Sequence, residues 1–504
     1  MTASLGWIDT VVLVVAVIVT IAVGLRARGK TNSLEAFLVG NRNLPWWAIL
    51  GSIVATETST ATVLSLPALA YGPTGMKFLQ IAFGYILGRI IVINFLIPLF
   101  FQGRLFSAYE VLETRFGKYA QSFASILFLV ARNLGDGLRL FLAAIVLHEL
   151  VGWPFWSSAL VIGGITIVYT YFGGMRSVVW NDCIQLIVYL IGGVASVFVI
   201  AATTEGGWAS FWSYAEANDK LTVWQFWPPD GFDGIGPALD WLVCEPYSFW
   251  AALIGGAVLT LGTHGTDQMM VQRYLSARCQ RDASQAVFWS SVVVLFQFAL
   301  FLFIGVQLAC YFSTRPDTVF EKSDEVYAHF IVHWFPKNTG LVGLMLAAIL
   351  AAAMSTLSSS LNSSSAALLN DFYLPLAKSK PNSAKQLTLS RWLCVGFGML
   401  QILISLLATT LGEDSTVVSN ALTIAGYSAG LLLGLFSLGV LTTRVKQWHA
   451  LAGASLGLVI LLAVQFLLPR VGVDVAWLWF ALIGASSTFV CGYLFSFVRP
   501  KVYS

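Results

Sequence analysis

Apolar residues run along this chain in long unbroken blocks, not in the three-and-four spacing of a helix with one wet face. Blocks long enough to cross a bilayer, which takes about 20 residues, fall at 8–26, 46–70, 78–101, 119–147, 156–172, 178–202, 248–271, 287–312, 340–369, 388–410, 418–441, 449–468 and 475–497. The pattern predicts an all-α polytopic membrane protein with about thirteen transmembrane helices. The first block is too long for a removed leader and lacks a convincing small-residue cleavage site, so it is expected to stay as a membrane helix.

Two blocks are interrupted by polar residues near what would be mid-membrane. The second carries Ala55-Thr-Glu-Thr-Ser-Thr-Ala-Thr62, then Pro67 and Gly72; the seventh carries Thr260-Leu-Gly-Thr-His-Gly-Thr-Asp-Gln268. Polar and β-branched residues at that depth predict unwound backbone whose freed carbonyls face a cavity, the device by which transporters hold ions and solutes at the midplane. Each interrupted block opens a set of five helices. The expected organisation is one transporter domain over 1–504, with inverted repeats at 46–202 and 248–441, a peripheral first helix at 8–26 and two peripheral C-terminal helices at 449–497.

The ninth block ends in Ala351-Ala-Ala-Met-Ser-Thr-Leu-Ser-Ser-Ser-Leu-Asn-Ser-Ser-Ser365. Unpaired polar groups in hydrocarbon cost several kcal/mol each, so this helix must face protein, water or an ion. Ala352, Ser355, Thr356, Ser358, Ser359 and Asn362 recur at helical steps and form two adjacent stripes of oxygen. Clustered oxygens suit a hard cation such as Na+. The alternative is that small residues merely let two helices approach closely.

Composition agrees: 57% of residues are hydrophobic and 11% charged, with mean hydropathy +0.78. With the N-terminus outside, nineteen Lys and Arg fall in inside loops, from Arg26 to Lys501 and including Arg273. Six fall outside: Lys77, Lys220, Arg315, Lys322, Lys337 and Arg470. Basic residues are retained on the cytoplasmic side, so the N-terminus is expected outside and the C-terminus inside. The net charge of +3 is this bias and not a nucleic-acid patch. The six cysteines show no metal spacing, and Cys244 and Cys310, both near the outer surface, are not expected to pair. The outside loop at 203–247, rich in Trp, is expected to cap the outer face with interfacial helices.

Four stretches carry a family resemblance: Ala108-Tyr-Glu-Val-Leu-Glu-Thr-Arg-Phe116, Gly173-Gly-Met-Arg-Ser-Val-Val-Trp-Asn-Asp-Cys-Ile-Gln185, Asp267-Gln-Met-Met-Val-Gln-Arg-Tyr-Leu-Ser-Ala277, and Ala352 to Asn362 with Asn370-Asp-Phe-Tyr373. In that order and over nearly the whole chain, they resemble the sodium:solute symporters, the solute carrier 5 type that includes the sodium/glucose, proline and sialic acid symporters. The resemblance implies a LeuT-like fold and Na+ as the coupling ion. It implies a sodium site made by the carbonyls of Ala55, Thr58 and Ala352 and the hydroxyls of Ser355 and Thr356. A second sodium site, present in some members, maps to Asp182, Ser355, Ser358 and Ser359. An acidic residue inside a membrane segment is itself a functional signal.

Candidate solute-binding residues are Glu57, Ser59, Thr60 and Thr62 at the break, Arg132, Asp136 and Arg139 on one face of the fourth helix, and Gln80, Tyr85, Thr263, His264 and Gln268. The sialic acid symporters grip a carboxylate with an arginine on that fourth helix, whose aligned position here is Gly135. Two readings of the charged group stay open. Glu57, Asp136, Arg132, Arg139 and Arg89 neutralise one another as a buried network, or the arginines clamp a carboxylate while Glu57 reads an amine or hydroxyls. Asp267, Gln268, Gln272 and Arg273 are assigned a structural or gating role, with Arg273 leading into the cytoplasmic loop.

The expected function is Na+-coupled secondary active symport of a small polar organic solute by alternating access, with a carboxylate-bearing or zwitterionic solute favoured over a neutral sugar. Rivals are a proton-coupled transporter using Glu57 or Asp182, and a transporter-like sensor, which the chain's end at Ser504 without a kinase module disfavours. No paired catalytic carboxylates, metal spacing or nucleophile motif appears, so an enzyme is not expected. The expected setting is a multi-pass plasma membrane protein, of bacterial inner-membrane type, working as a monomer among membrane lipid and without nucleic acid.

Overall fold

A computed structural model describes the chain apart from residues 1–5, 28–32, 104, 229–230, 232–233, 316–317, 319, 321–323, 378–381, 410–416 and 498–504. Of the basic residues used for orientation, Arg28, Lys30, Arg104, Lys322, Lys378, Lys380, Arg499 and Lys501 lie outside the described residues. The described residues are helical, with one isolated bridge, Leu44 to Ala277, in place of any sheet.

In chain order the main helices are α1 (Trp7–Ala27), α2 (Trp46–Glu57), α3 (Thr60–Tyr71), α4 (Gln80–Ile91), α5 (Lys118–Val151), α6 (Phe155–Thr203), α7 (Gly256–Gly265), α8 (Gln268–Leu275), α9 (Gln280–Ser313), α10 (Leu341–Ala367), α11 (Ser383–Ala408), α12 (Val417–Leu441), α13 (Gln447–Phe466) and α14 (Trp479–Phe495). Eight described helices are long and apolar enough to cross a membrane on their own, and α2 with α3 makes a ninth candidate bent by 58°. The 49 residues of α6 are one helical run broken at Gly174, which has φ 57° and ψ −157°. The two sequence blocks at 156–172 and 178–202 are the arms either side of that break. A Cβ at Gly174 would stand 2.5 Å from the Phe37 carbonyl oxygen, so only glycine fits both the backbone and the space.

The hydroxyl-rich α10 is the central helix. Buried positions account for 89% of its most apolar window, against 17% for α1 and 22% for α13, which form the outer layer. It packs against α1, α2, α5, α6 and α11. That burial explains why serines are tolerated there: none of them meets lipid. The N-terminus of α10 is anchored from α1, where Asp9 accepts hydrogen bonds from the backbone N–H groups of Asn338 (2.7 Å) and Gly340 (2.9 Å). Helices α2 and α3 lie against α9, and α7 lies between α4 and α12. The 203–247 segment carries two short helices, Gly207–Ala217 and Ile235–Cys244, and Cys244 and Cys310 are both free thiols.

Candidate functional site

The site begins where α2 stops. Thr58 leaves the helical region (φ −79°, ψ 101°), and its N–H and Oγ1 both donate to the Val54 carbonyl. The next N–H, from Ser59, turns away to Thr62 Oγ1 (3.3 Å) in a capping box that starts α3. The last carbonyls of α2 therefore lack the next turn that would occupy them. Tyr189 of α6 (3.1 Å) and Gln297 of α9 (2.6 Å) both donate to Thr58 Oγ1 and hold the break open.

Helix α10 faces these carbonyls. Thr356 Oγ1 donates to the Thr56 carbonyl across the gap at 3.2 Å and to Ala352 of its own helix at 3.4 Å. Ala55, Thr58, Ala352, Ser355 and Thr356 are all essentially inaccessible. The Thr56 carbonyl at the end of α2 thus meets the Thr356 hydroxyl of α10 in a buried contact without formal charge, and oxygens of this kind are what a hard cation takes.

One helical turn away lies a charged group. Asp182, in the second arm of α6, is fully buried. Its Oδ1 accepts from Ser355 (2.6 Å); its Oδ2 accepts from Ser52 (2.5 Å), more weakly from Thr56 (3.4 Å), and from Arg273 Nη2 (3.2 Å). The Arg273 guanidinium also donates to Ser52 (2.8 Å), to the Met269 carbonyl (2.6 Å), to Thr56 Oγ1 and to Ser359 Oγ. This corrects the placement of Arg273 in the cytoplasmic loop: it is buried inside α8 and is the counter-ion of Asp182. Ser52 and Thr56 were not among the sequence candidates, and Arg273 was assigned a structural or gating role without its partner. The four-residue spacing of Ser52 and Thr56 on α2 was the available signal. Ser358 and Ser359 both donate to the Ser355 carbonyl, and neither hydroxyl bonds Asp182.

The remaining charges form two separate groups and not one network. Glu57 pairs with the buried Arg89 of α4, which also donates to Ser290 (2.6 Å), and His264 Nε2 stands 3.7 Å from Glu57. Thr260 and Thr263 contact the other nitrogen of His264 at 3.3 and 3.2 Å. On α5, Asp136 accepts from Arg132 (2.7 Å) and Arg139 (2.6 Å), and Arg132 lies 4.0 Å from Asp267. Each group balances its own charge. Tyr85 packs on Phe298, and Thr60 Oγ1 is buried without a hydrogen-bond partner. Gln80 is spent elsewhere: its amide joins the Tyr247 carbonyl and the Gln225 N–H and pins the segment between α6 and α7. Gln268 similarly pins the Phe106–Ala108 segment, and Gln272 ties the Leu38 carbonyl to Asn362.

Residues 37–457 match the model of the sodium:solute symporter family. The chain belongs to that family; it is a multi-pass membrane transporter and not an enzyme, and sodium is the family's coupling ion. Among curated relatives, the rabbit (Oryctolagus cuniculus) sodium-dependent multivitamin transporter is 28% identical over 468 residues, covering 91% of this chain and 70% of the relative. Bovine (Bos taurus) sodium-coupled monocarboxylate transporter 2 is 28% identical, covering 90% and 71%. The human (Homo sapiens) sodium/iodide cotransporter is 28% identical, covering 90% and 69%. Among solved structures, a substrate-bound, outward-open Na+-coupled sialic acid symporter matches with TM-score 0.84 and 26% identity over 97% of this chain and 98% of that one.

Proposed function

We propose that this chain imports a small carboxylate-bearing solute by symport with two sodium ions. The observation that carries sodium coupling is the meeting of the Thr56 carbonyl, at the end of α2, with the Thr356 hydroxyl of α10. In this reading Ala55, Thr58, Ala352, Ser355 and Thr356 hold one ion, and Asp182 with Ser355, Ser358 and Ser359 holds the other. The chain crosses the membrane thirteen times in a LeuT-like inverted repeat, N-terminus outside and C-terminus inside. Each inward sodium charge contributes about 2.3 kcal/mol per 100 mV of membrane potential.

Two observations favour a carboxylate. Several relatives are named for monocarboxylate or iodide, which are anions. The Arg139 side chain on α5 keeps 19% of its surface accessible while sharing Asp136 with Arg132, which leaves donors for a planar anion. Glu57, Ser59, Thr60, Thr62, Tyr85, Thr263 and His264 complete the solute pocket. The proton-coupled rival must place its proton on Glu57 or Asp182; a guanidinium engages each, so protonation would sever a buried ion pair. The protein acts as a monomer in a plasma membrane, since the whole pathway lies in one chain.

A thermal-shift screen of purified protein against monocarboxylates, amino acids and sugars, each in Na+ and in K+, tests this reading. Stabilisation by a monocarboxylate in Na+ alone is expected. Stabilisation by a sugar, or equal shifts in K+, overturns the solute class or the coupling ion respectively.

A further inference from the structure

We propose that Gln185 and Tyr169, which no family correspondence used above assigns to an ion, complete the second sodium shell on the Ser358 side of Asp182; this rests on the two-sodium reading. The two oxygens of Asp182 are differently occupied. Oδ2 is taken by Ser52, Thr56 and Arg273, while Oδ1 accepts from Ser355. Around α10, Ser358 and Ser359 lie to opposite sides of Ser355, because steps of three and four residues turn the helix backward and forward of a full turn. The Ser359 side is filled: its hydroxyl accepts from Arg273. The Ser358 side is where oxygens remain.

Gln185 stands one helical turn from Asp182 on α6 and is 1% exposed, yet neither atom of its amide makes an ordinary hydrogen bond. A buried primary amide left in that state is costly unless something occupies it. Tyr169, in the other arm of α6, donates its hydroxyl proton to the Met354 carbonyl at 2.9 Å, which leaves its oxygen lone pairs free. Met354 precedes Ser358 by four residues on α10, so Tyr169 meets that helix on the Ser358 face. Ser358 also sends its proton to a backbone carbonyl, at 3.1 Å. Asp182 Oδ1, Ser355 Oγ, Ser358 Oγ, Gln185 Oε1 and Tyr169 Oη then form a shell of hard oxygens, in which Gln185 and Tyr169 take the place that the family correspondence gives Ser359, whose hydroxyl Arg273 holds. A carboxylate already held by Arg273 on its far side attracts this ion weakly, which suits release into a low-sodium cytoplasm.

The test titrates detergent-purified, full-length protein with NaCl against KCl at constant ionic strength, following thermal stability, for wild type, Gln185→Leu, Tyr169→Phe and Asp182→Asn. Wild type is expected to respond with a Hill coefficient of about two. Gln185→Leu and Tyr169→Phe are expected to weaken one sodium step by about tenfold and bring the coefficient toward one, with stability in K+ close to wild type for the isosteric Tyr169→Phe. If Asp182→Asn loses a step while both other variants titrate as wild type, the shell is wrong and the second site stands. If Asp182→Asn also titrates as wild type, the two-sodium reading fails and takes the shell with it. Should Gln185→Leu not fold, an unchanged sodium curve for Tyr169→Phe alone overturns the shell.

Discussion

Arg273 Nη2 lies 3.2 Å from Asp182 Oδ2, joining α8 to the second arm of α6 with both side chains buried. Because the same guanidinium bonds Ser52 and Thr56 of α2 and Ser359 of α10, one side chain ties four elements together beside the proposed ion sites. Removing one member of a buried, hydrogen-bonded pair strands the other charge, at about 3–5 kcal/mol. Arg273→Gln is therefore expected to lower stability by that order, and Asp182→Asn in the same chain to recover part of the loss. Thermal unfolding of the two singles and the double checks this; additive losses would mean the two side chains do not interact.

Arg89 bridges Glu57 and Ser290 with separate guanidinium nitrogens. A lysine ammonium is a point charge and does not reproduce that fork. Arg89→Lys is expected to fold but to carry solute at less than about a tenth of the wild-type rate, a loss of roughly 1.4 kcal/mol or more. Uptake per mole of folded protein in proteoliposomes decides it.

Gly174 breaks α6 in a backbone conformation that disfavours any side chain, with the Phe37 carbonyl 2.5 Å from the place of a Cβ. Gly174→Ala is expected to cost about 1–3 kcal/mol from backbone strain alone, and more from the clash. The yield of monodisperse protein and its thermal midpoint should both fall; an unchanged midpoint would contradict the geometry.

The proposed orientation places Lys220 outside and Arg278 inside. On a background with exposed cysteines removed, a membrane-impermeant maleimide applied to intact cells is expected to label Lys220→Cys and to spare Arg278→Cys until the cells are opened. The reverse pattern would invert the topology.

How far these features could be read without coordinates depended on whether the signal was local. The break at Ala55–Thr62 was legible because polar, β-branched residues in an apolar block have a backbone explanation, and the break at Gly174 was legible as the gap between the apolar blocks at 156–172 and 178–202. The helical spacing of Arg132, Asp136 and Arg139 correctly put them on one face. Partners across helices were a different matter. Arg273 ends an apolar block, where a cation ordinarily marks the loop, and only the packing of α8 beneath α2 buries it. Glu57 was grouped with Arg89 and the α5 arginines alike because all are charged and membrane-embedded; Arg89 of α4 does pair with it, while the α5 arginines pair with Asp136 instead. Gln80 looked like a pocket residue because it is polar in an apolar span; its amide instead serves the backbone of the segment between α6 and α7.

The central claim is that sodium rests between the end of α2 and Thr356 of α10. Thr356→Val keeps the shape of the side chain and deletes the hydroxyl that donates to the Thr56 carbonyl. The direct measurement is the sodium concentration needed for half-maximal solute uptake into proteoliposomes, wild type against Thr356→Val. The account predicts uptake that requires an inward sodium gradient, with the variant needing about tenfold more sodium. Uptake driven equally well by a proton gradient in the absence of sodium, or a sodium requirement untouched by Thr356→Val, would contradict it.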